Sequence, residues 1–328
     1  MERSLDIQLI VHGIELDEAY EGKLFTVKKR EVISSGKPVP GCVHISYKVS
    51  RESDPSVCEQ QYINREIPRA VDLFTQCLSL LLRRPSHLIN YKAKLDGVVV
   101  EPTIQQYAPN LYNLVMIFHP DVLIPSGLSV CPPRDFWVLL ENTISSYRQR
   151  ADNVRRHLAL ALRWFKKGSD ELNSPDRLVA FWISFNALYE DPEINKEQKR
   201  IEKYITSNVD SVIAQRYVVD NSPQLNELSG FPIELGVKNK TPVAKELACL
   251  LSVDQLDYTA VAGKSVFVIY GIRNNLFHGD YDPDSENHQK HMATAEGLLS
   301  FLVRELIVKE MTGKPLPVTI VSSEYFKL

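Results

Sequence analysis

Residues 256–279 read LDYTAVAGKSVFVIYGIRNNLFHG, and the spacing of their apolar residues predicts one long helix. Apolar side chains recur at intervals of three and four, which places them on one face of an α-helix. They are Val266, Ile269, Ile272 and Leu276. Gly279 follows at a position where glycine commonly ends a helix in a left-handed conformation. The sequence therefore predicts a helix over 256–278 that buries one face and stops at Gly279.

The same helical spacing continues through the second half of the chain. Further helices are predicted at 135–168, 174–190, 196–217, 241–252 and 284–311. Ser174-Pro175 and Asp282-Pro283 each place a capping side chain before a proline, which suits the first turn of a helix. Residues 220–240, with their prolines and Gly230, are predicted to form a loop or an inserted segment. We therefore expect an all-α domain over residues 135–328.

The first part of the chain has a different pattern. Short alternating apolar runs rich in β-branched residues predict strands at 5–11, 24–27, 43–49, 88–100 and 114–118. A helix is predicted at 66–82, and a loop at 125–133 closes the region. The expected fold class is an α+β amino-terminal domain over 1–134, followed by an all-α helical bundle over 135–328. Val318 to Val321 are predicted to form a short strand that returns to the amino-terminal domain.

Composition narrows the class of protein. A content of 44% hydrophobic and 24% charged residues in 328 is typical of globular domains. The net charge of −3 means that any nucleic-acid contact needs a local basic patch. Five scattered cysteines without a C-x-x-C pair argue against a disulfide framework or a zinc site. The opening residues lack the apolar core of a signal peptide, and no apolar run could span a membrane, so we expect a cytoplasmic protein without membrane contact.

Arg273 and His278 lie five residues apart near the end of the predicted helix. Cleavage of RNA without a metal requires a base for the ribose 2′-hydroxyl and cationic donors for the charge on phosphorus-bound oxygens. Histidine, with an intrinsic pKa of about 6.5, suits the first task, and the permanently charged guanidinium suits the second. Because each helical residue rotates by about 100°, the two side chains lie about 140° apart. They line one cleft only through the long arm of Arg273 or through a partner helix.

A second pair has the same kind of spacing. Arg150 and His157 lie seven residues apart on another predicted helix and therefore share a face. With 18 arginines and 8 histidines in 328 residues, roughly one such spacing is expected by chance. Spacing alone does not choose between the pairs. We interpret His157 as a partly buried helix residue.

The residues around Arg273 carry a family resemblance. Residues 270–279, YGIRNNLFHG, resemble the catalytic motif of the HEPN superfamily, particularly its Apea-like branch. In that branch the arginine is followed by a polar residue and the histidine is often followed by glycine. Residues 178–189, LVAFWISFNALY, resemble the first core helix of the HEPN domain. The resemblance covers about residues 140–312 and does not extend to the first 130.

The resemblance implies a helical bundle that forms a homodimer, with Arg273, Asn274 and His278 of both protomers lining a shared cleft that cleaves RNA without a cofactor. His278 would act as general base or acid, Arg273 would stabilise phosphate charge, and Asn274 would orient the phosphate or His278. The resemblance also implies a defence or toxin-type effector, whose amino-terminal domain responds to a trigger ligand or regulatory protein.

One departure concerns toxins of this superfamily that are silenced by tyrosine modification. Their motif reads R-x4-H-x-Y, whereas Asp280 holds that position here and the tyrosine is Tyr281, which puts this mode of silencing in doubt. The alternative to a nuclease is a non-catalytic HEPN module that binds RNA, a nucleotide or a protein partner.

Several other groups of side chains have both a functional interpretation and a simpler structural one. Basic residues gather along one flank of the predicted helix near 148–167, namely Arg148, Arg155, Arg156, Arg163, Lys166 and Lys167. This flank could follow RNA phosphates, although a solvated helix face is commoner. His288 and His291 are predicted to be solvated surface and not a metal pair, because no further ligand follows at the expected spacing. Trp182, with Phe181 and Phe185, is predicted to be core.

Overall fold

The computed structural model describes residues 2–34, 37–52, 58–83, 87–101, 130–189, 191, 193–233, 242–282 and 284–317. The chain divides into two compact units. Of the described residues, the first unit contains those up to Arg148 together with Pro317, and the second runs from Gln149 to Leu316. Within these ranges, no helix has the length and apolar character needed to cross a membrane.

The first unit is built on an antiparallel sheet, which has six strands in the described part of the chain. They are β1 (Glu2–His12), β2 (Tyr20–Glu21), β3 (Phe25–Ser34), β4 (Lys37–Glu52), β5 (His87–Leu95) and β6 (Val98–Val100). Their spatial order is β2-β3-β4-β1-β5-β6. The central strand β1 places Leu9 opposite Ile45 of β4 and Tyr91 of β5. The expected α+β character of the amino-terminal region is confirmed.

Strand β1 has one apolar and one polar face because successive side chains of a strand point to opposite sides. Leu5, Ile7 and Leu9 are completely buried, whereas Asp6 and Gln8 between them are partly exposed. Helix α1 (Glu59–Leu82) covers the apolar face. On that face the ring of its Phe74 lies 5.3 Å from Phe25 and 5.2 Å from Tyr47.

A second helix, α2 (Arg134–Gln149), also packs on the apolar face of the sheet. Its Trp137 lies 6.4 Å from the ring of Phe25, and its Glu141 accepts a hydrogen bond from the Tyr20 hydroxyl at 2.8 Å. The division of the chain at Arg148 and Gln149 therefore differs from the expected boundary after residue 134. The helical pattern of the sequence does begin at the first residues of α2. This helix nevertheless buries its apolar side against the sheet, and so it belongs to the sheet unit.

The second unit contains only helices among its regular elements in the described ranges. They are α3 (Asp152–Asp170), α4 (Ser174–Tyr189), α5 (Glu197–Asn208), α6 (Ser211–Asp220), α7 (Ser222–Ser229), α8 (Val243–Leu251), α9 (Tyr258–His278) and α10 (Glu286–Thr312). Helix α10 is the central element, because Leu298, Leu299, Leu302 and Leu306 are completely buried along it. An all-α region after the sheet is thus confirmed.

Helices α3 and α4 pack unusually closely. Gly168 of α3 faces the ring of Phe181 on α4, where an added Cβ would lie 2.8 Å from a ring carbon. The hydroxyl of Ser184 donates to the carbonyl of Ala161 at 2.7 Å across the same contact. A side chain at position 168 would therefore force the two helices apart.

Three predicted segments are divided or replaced in the structure. The helix predicted over 135–168 is two helices, separated by Ala151, whose backbone is not helical, and the helix predicted over 196–217 is also two. Asp210 starts the second of the latter by accepting a hydrogen bond from the backbone N–H of Ile213 at 3.0 Å. The prediction of a loop at 220–240 is wrong over 222–229. There Pro223 occupies the first turn of α7, and the helix is anchored by the buried Leu225 and Leu228.

The ends of several other elements differ by a few residues. Asn173, and not Ser174, caps α4, because its side-chain oxygen accepts from the backbone N–H of Asp176 at 2.9 Å. Asp282 accepts from the N–H of Asp284 in the turn before α10. The run 88–100 forms two strands joined at Asp96 and Gly97, both with positive φ. The strands predicted at 114–118 and 318–321 lie outside the described residues.

Candidate functional site at the end of helix α9

Helix α9 places the Arg273–His278 stretch at its carboxyl end. Asp257 caps the start of the helix by accepting from the N–H of Ala260 at 3.0 Å. Gly279, at a φ of 78°, ends it, and its N–H faces the carbonyls of Asn275 and Leu276. The glycine stop is confirmed, as is the burial of the apolar stripe at Val266, Ile269 and Ile272, whereas Leu276, its last predicted member, is only half-buried.

An aromatic cluster on α4 supports this end of α9. Trp182 and Phe185 are buried, as is Phe181, which confirms the prediction that they are core residues. The ring of Trp182 lies 5.6 Å from that of Phe185 and 5.6 Å from that of Tyr270 on α9. The contact with Tyr270 fixes α4 against α9 one turn before Arg273.

The guanidinium of Arg273 is held among aromatic and polar groups. Its Cζ lies 4.5 Å from the centroid of the Phe277 ring and 5.7 Å from that of Trp182. Its Nη1 donates to the side-chain oxygen of Asn274 at 2.8 Å. A cation over an aromatic ring gains on the order of 0.5–1 kcal/mol at exposed sites and more where water is excluded. These contacts orient the guanidinium before any ligand binds.

Glu197, in the first turn of α5, completes the surroundings of Arg273. Its Oε2 lies 3.8 Å from Nη1 of Arg273, and its Oε1 accepts from the hydroxyl of Tyr189 at 2.8 Å. Burial, with the nearby Glu197 carboxylate, raises the pKa of Tyr189 well above its usual range, so the phenol remains a donor. Neither Glu197 nor Tyr189 could be predicted as a site residue from the sequence, because both lie far from Arg273 in the chain. The aromatic helix at 178–189 was the nearest signal.

His278 lies in solvent at the last residue of α9. The structure brings Arg273 and Asn274 into direct contact, but His278 forms no hydrogen bond or ion pair with any residue in the described ranges. Phe277, which is 54% exposed, stands between them in sequence. This arrangement agrees with the rotation of about 140° between positions 273 and 278. A single copy therefore presents an oriented cation and a free imidazole on different sides of one helix end.

Contacts among one tyrosine and two histidine side chains stabilise the turn after Gly279. The buried Tyr281 ring stacks on His288 at 4.3 Å, and its hydroxyl lies 2.8 Å from Nδ1 of His291. Nδ1 of His288 accepts from the backbone N–H of Asp282 at 2.9 Å. The prediction of solvated surface is wrong for both histidines, because Tyr281 folds back against them. Burial, with a contribution from His288, lowers the pKa of His291.

The competing pair, Arg150 and His157, has a different environment. Arg150 donates from Nε to the backbone carbonyl of Met311 at 3.0 Å, near the carboxyl end of α10. A cation there satisfies a free helix carbonyl and opposes the partial negative charge of the helix end. His157 is exposed, so its interpretation as partly buried is wrong. Its position on α3 turns it away from the buried stripe of Leu158, Ala161 and Leu162.

The structure separates the six basic residues predicted to form one flank. Arg148 belongs to the first unit, where its guanidinium contacts the hydroxyl and ring of Tyr47. Arg155 pairs with Asp152 and Lys166 with Asp170. The remaining three are exposed on α3 and pair with no acidic residue in the described ranges, namely Arg156, Arg163 and Lys167. The predicted flank is therefore reduced to a shorter basic strip.

Comparison of the chain with protein-family models, with curated proteins and with solved structures found no match in any of the three.

Proposed function

We propose that this chain is a metal-independent endoribonuclease with a HEPN-type site, which cleaves RNA by attack of a ribose 2′-hydroxyl. The observation that carries the proposal is the oriented guanidinium of Arg273 beside Asn274, with an exposed His278 at the end of the same helix. A guanidinium fixed before substrate binds stabilises developing phosphate charge at little reorganisation cost. An exposed imidazole can exchange protons with a nucleic acid near neutral pH.

The proposed reaction conserves atoms and charge. His278 takes the proton of the 2′-hydroxyl, the 2′-oxygen forms a bond to the adjacent phosphorus, and the bond from phosphorus to the 5′-oxygen breaks. The departing oxygen receives a proton from an imidazolium. Arg273 stabilises the charge on the non-bridging oxygens, and Asn274 orients the phosphate or His278. The products are a 2′,3′-cyclic phosphate and a 5′-hydroxyl.

A second copy of the chain would complete this site. Arg273 and His278 face different directions on one helix, so a twofold contact at the end of α9 would bring the arginine of one protomer toward the histidine of the other. Apolar side chains near this end support such a contact, since Leu172 is 90% and Phe277 54% exposed. Leu172 lines a surface groove with Val179 and Leu276. The homodimer is part of the proposal.

The wider role proposed from the family resemblance is a cytoplasmic defence or toxin-type effector. Its first unit would respond to a trigger ligand or a regulatory protein. The rival proposal is a non-catalytic HEPN module that binds RNA, a nucleotide or a protein. One observation favours the rival: the carboxylate of Glu197 lies 3.8 Å from Nη1 of Arg273, where its negative charge would repel a phosphate.

An assay of RNA cleavage in EDTA tests the proposal. The 328-residue chain and its Arg273→Ala and His278→Ala variants are incubated with mixed RNA and, separately, with DNA copied from that RNA. We expect cleavage of RNA alone, 2′,3′-cyclic phosphate ends, and loss of cleavage in both variants. A protein that is latent in vitro should still inhibit growth when expressed, whereas His278→Ala should not. Absence of both cleavage and growth inhibition, with equal RNA binding by all three proteins, would establish the non-catalytic module.

A further inference from the structure

One aromatic ring at the end of α9 is unusually exposed. The side chain of Phe277 is 54% exposed, and the other strongly exposed large apolar side chains in the described ranges are valines and leucines. Every other described phenylalanine, tyrosine and tryptophan is buried or only partly exposed. A large ring contributes most to binding or stability when it is covered. An exposed ring at a candidate site therefore indicates a surface that a ligand or a partner covers.

Phe277 lies on the surface of α9 between the two residues of the proposed reaction. Because successive residues of a helix rotate by about 100°, Phe277 is about 40° from Arg273 and about 100° from His278. The ring thus lies inside the arc of about 140° that separates the arginine from the histidine. A nucleotide that contacts either residue lies beside this ring.

The guanidinium of Arg273 holds one face of the ring. Its Cζ lies over the Phe277 ring, 4.5 Å from the centroid, and 5.7 Å from the centroid of Trp182. Since Trp182 is buried, the guanidinium is anchored to the core of the second unit, and the ring is anchored to the guanidinium. The other face and the edge of the ring supply its exposed area. A flat ligand stacked there would lie about 4.5–7 Å from the centroid, the usual separation of two rings.

The charges near the ring favour a flat, uncharged group on it over a phosphate. The Glu197 carboxylate lies 3.8 Å from Nη1 of Arg273, and Asp280 is exposed two residues after His278. Carboxylates repel an anion, whereas the stacking of a neutral ring does not require a positive surface. A nucleobase is a neutral ring of this kind, and the bases of single strands commonly stack on aromatic side chains.

A contact between two copies of the chain can form without this ring. The groove lined by Leu172, Val179 and Leu276 offers apolar surface for a second copy. Leu276 lies about 100° around α9 from Phe277, so the groove and the ring face different directions. The ring is therefore available to a ligand of the Arg273 site.

We propose that Phe277 is the platform on which the nucleobase next to the phosphate held by Arg273 stacks. This inference rests on the proposed ribonuclease function, because it takes RNA as the ligand of the same site. The ring holds one base out of the stack of its neighbours, which fixes the attached ribose and phosphate against Arg273. Phe277 binds substrate in this way and transfers no proton.

The test compares two oligonucleotides of equal charge, each about six nucleotides long, within the range of a single-strand site. One is oligoadenylate, and the other is a chain of abasic ribose phosphates. Fluorescence anisotropy follows their binding to the 328-residue chain with His278→Ala, so that RNA is not cut. Phe277→Leu removes the ring but keeps an apolar side chain, and Phe277→Tyr keeps a ring. The matched control is Phe267→Leu, which removes a partly exposed ring about 15 Å away on the same helix.

We expect the parent chain to bind oligoadenylate at least about fivefold more tightly than the abasic chain, the lower limit for one stacked base. Phe277→Leu should abolish this preference, whereas Phe277→Tyr and Phe267→Leu should keep it within about twofold. Loss of the preference measures a coupling between ring and base, which a general disturbance of the fold does not produce. Equal weakening of both oligonucleotides by Phe277→Leu, or binding of neither by the parent chain, would overturn the proposal.

Phe277→Trp reports the contact directly. The variant adds one indole to the three that the chain contains, so its signal is obtained by subtraction of the parent fluorescence. Oligoadenylate should quench the added indole, and the abasic chain should not. Equal quenching by the two oligonucleotides, or no quenching by either, would contradict a stacked base.

Oligomeric state and cleavage separate this inference from the other proposals. If Phe277→Leu is monomeric in the ultracentrifuge, the parent is dimeric, and both oligonucleotides bind equally weakly, the ring belongs to a contact between copies. If no RNA is cleaved but the preference for bases depends on Phe277, the stacking platform stands and the nuclease proposal falls. If RNA is cleaved and Phe277→Leu keeps the preference, the reverse holds.

Discussion

The two arginine–histidine pairs of the second unit have similar sequence spacing and different surroundings. Arg150 binds the carbonyl of Met311 at a helix end, and His157 stands in solvent on α3. Arg273 lies against two aromatic rings and a side-chain amide, with Glu197 nearby, and its histidine ends the same helix. Spacing alone therefore identifies pairs of residues, whereas the contacts of each arginine distinguish a cation that binds a helix-end carbonyl from one that is held among aromatic rings.

The strongest test of the comparison exchanges the two histidines for alanine. We expect His278→Ala to reduce RNA cleavage by at least about 100-fold, the usual contribution of a general acid or base. His157→Ala should retain the parent rate, because its ring is on a different helix from the oriented arginine. Rates are measured by gel analysis of labelled RNA in EDTA. Loss of cleavage in His157→Ala alone would move the site to the competing pair.

The two arginines should differ in how much each contributes to the stability of the fold. Arg150→Ala leaves the carbonyl of Met311 without its cationic donor, and we expect the free energy of unfolding to fall by about 1.5–3 kcal/mol, typical for a hydrogen bond to a charged group. Arg273→Ala should cost less, on the order of 1 kcal/mol from its ring contacts, while it abolishes cleavage. Urea unfolding followed by circular dichroism measures both. A larger stability loss in Arg273→Ala would make that arginine chiefly structural.

Glu197→Gln sharpens the description of the Arg273 site. The variant keeps a side-chain oxygen for the Tyr189 hydroxyl but removes the negative charge beside Arg273. Because a partly exposed pair is worth about 0.2–1 kcal/mol, we expect the KM for RNA to fall by up to about fivefold with little change in kcat. Glu202→Gln, an exposed position on the same helix, is the control. A large loss of kcat would instead give the Glu197 carboxylate a part in the reaction.

The smallest effect concerns the pH dependence of the turn after Gly279. Burial, with His288, holds the pKa of His291 below its usual value, although Glu227 opposes this. The unfolded chain then binds more protons near the intrinsic pKa of about 6.5, so stability should fall as pH drops from about 7.5 to about 5.5. His291→Gln should flatten this dependence, measured as Tm, and His157→Gln should not. An identical slope in both variants would remove His291 from the account.

The sequence was sufficient for the elements whose pattern is local. The stripe on α9, its stop at Gly279, the aromatic core helix α4 and the alternation of β1 follow from periodicity and end signals. The points where one helix ends and another begins were harder to predict. Ala151 interrupts a continuous helical pattern without a glycine or proline, and Pro223 starts α7 where prolines and Gly230 indicated a loop.

The candidate site was only partly accessible to the same reasoning. Arg273, Asn274 and His278 are contiguous, so a motif could select them. Glu197 and Tyr189 meet Arg273 only because α4 and α5 pack against α9, and no local pattern reports such a contact. Arg148 could not be separated from the basic flank of α3 until its packing in the sheet unit was known. Tertiary contacts decide these assignments.

The close contact at Gly168 has a consequence for genetic screens. Phe181, which faces that glycine, precedes Trp182, so a larger residue at 168 would displace the ring that supports Arg273. Random mutagenesis should therefore recover inactive substitutions at Gly168, far from His278 in the chain. Such alleles would act through the distance between α3 and α4 and not through the site residues themselves. The positions of inactivating substitutions would therefore extend well beyond the site.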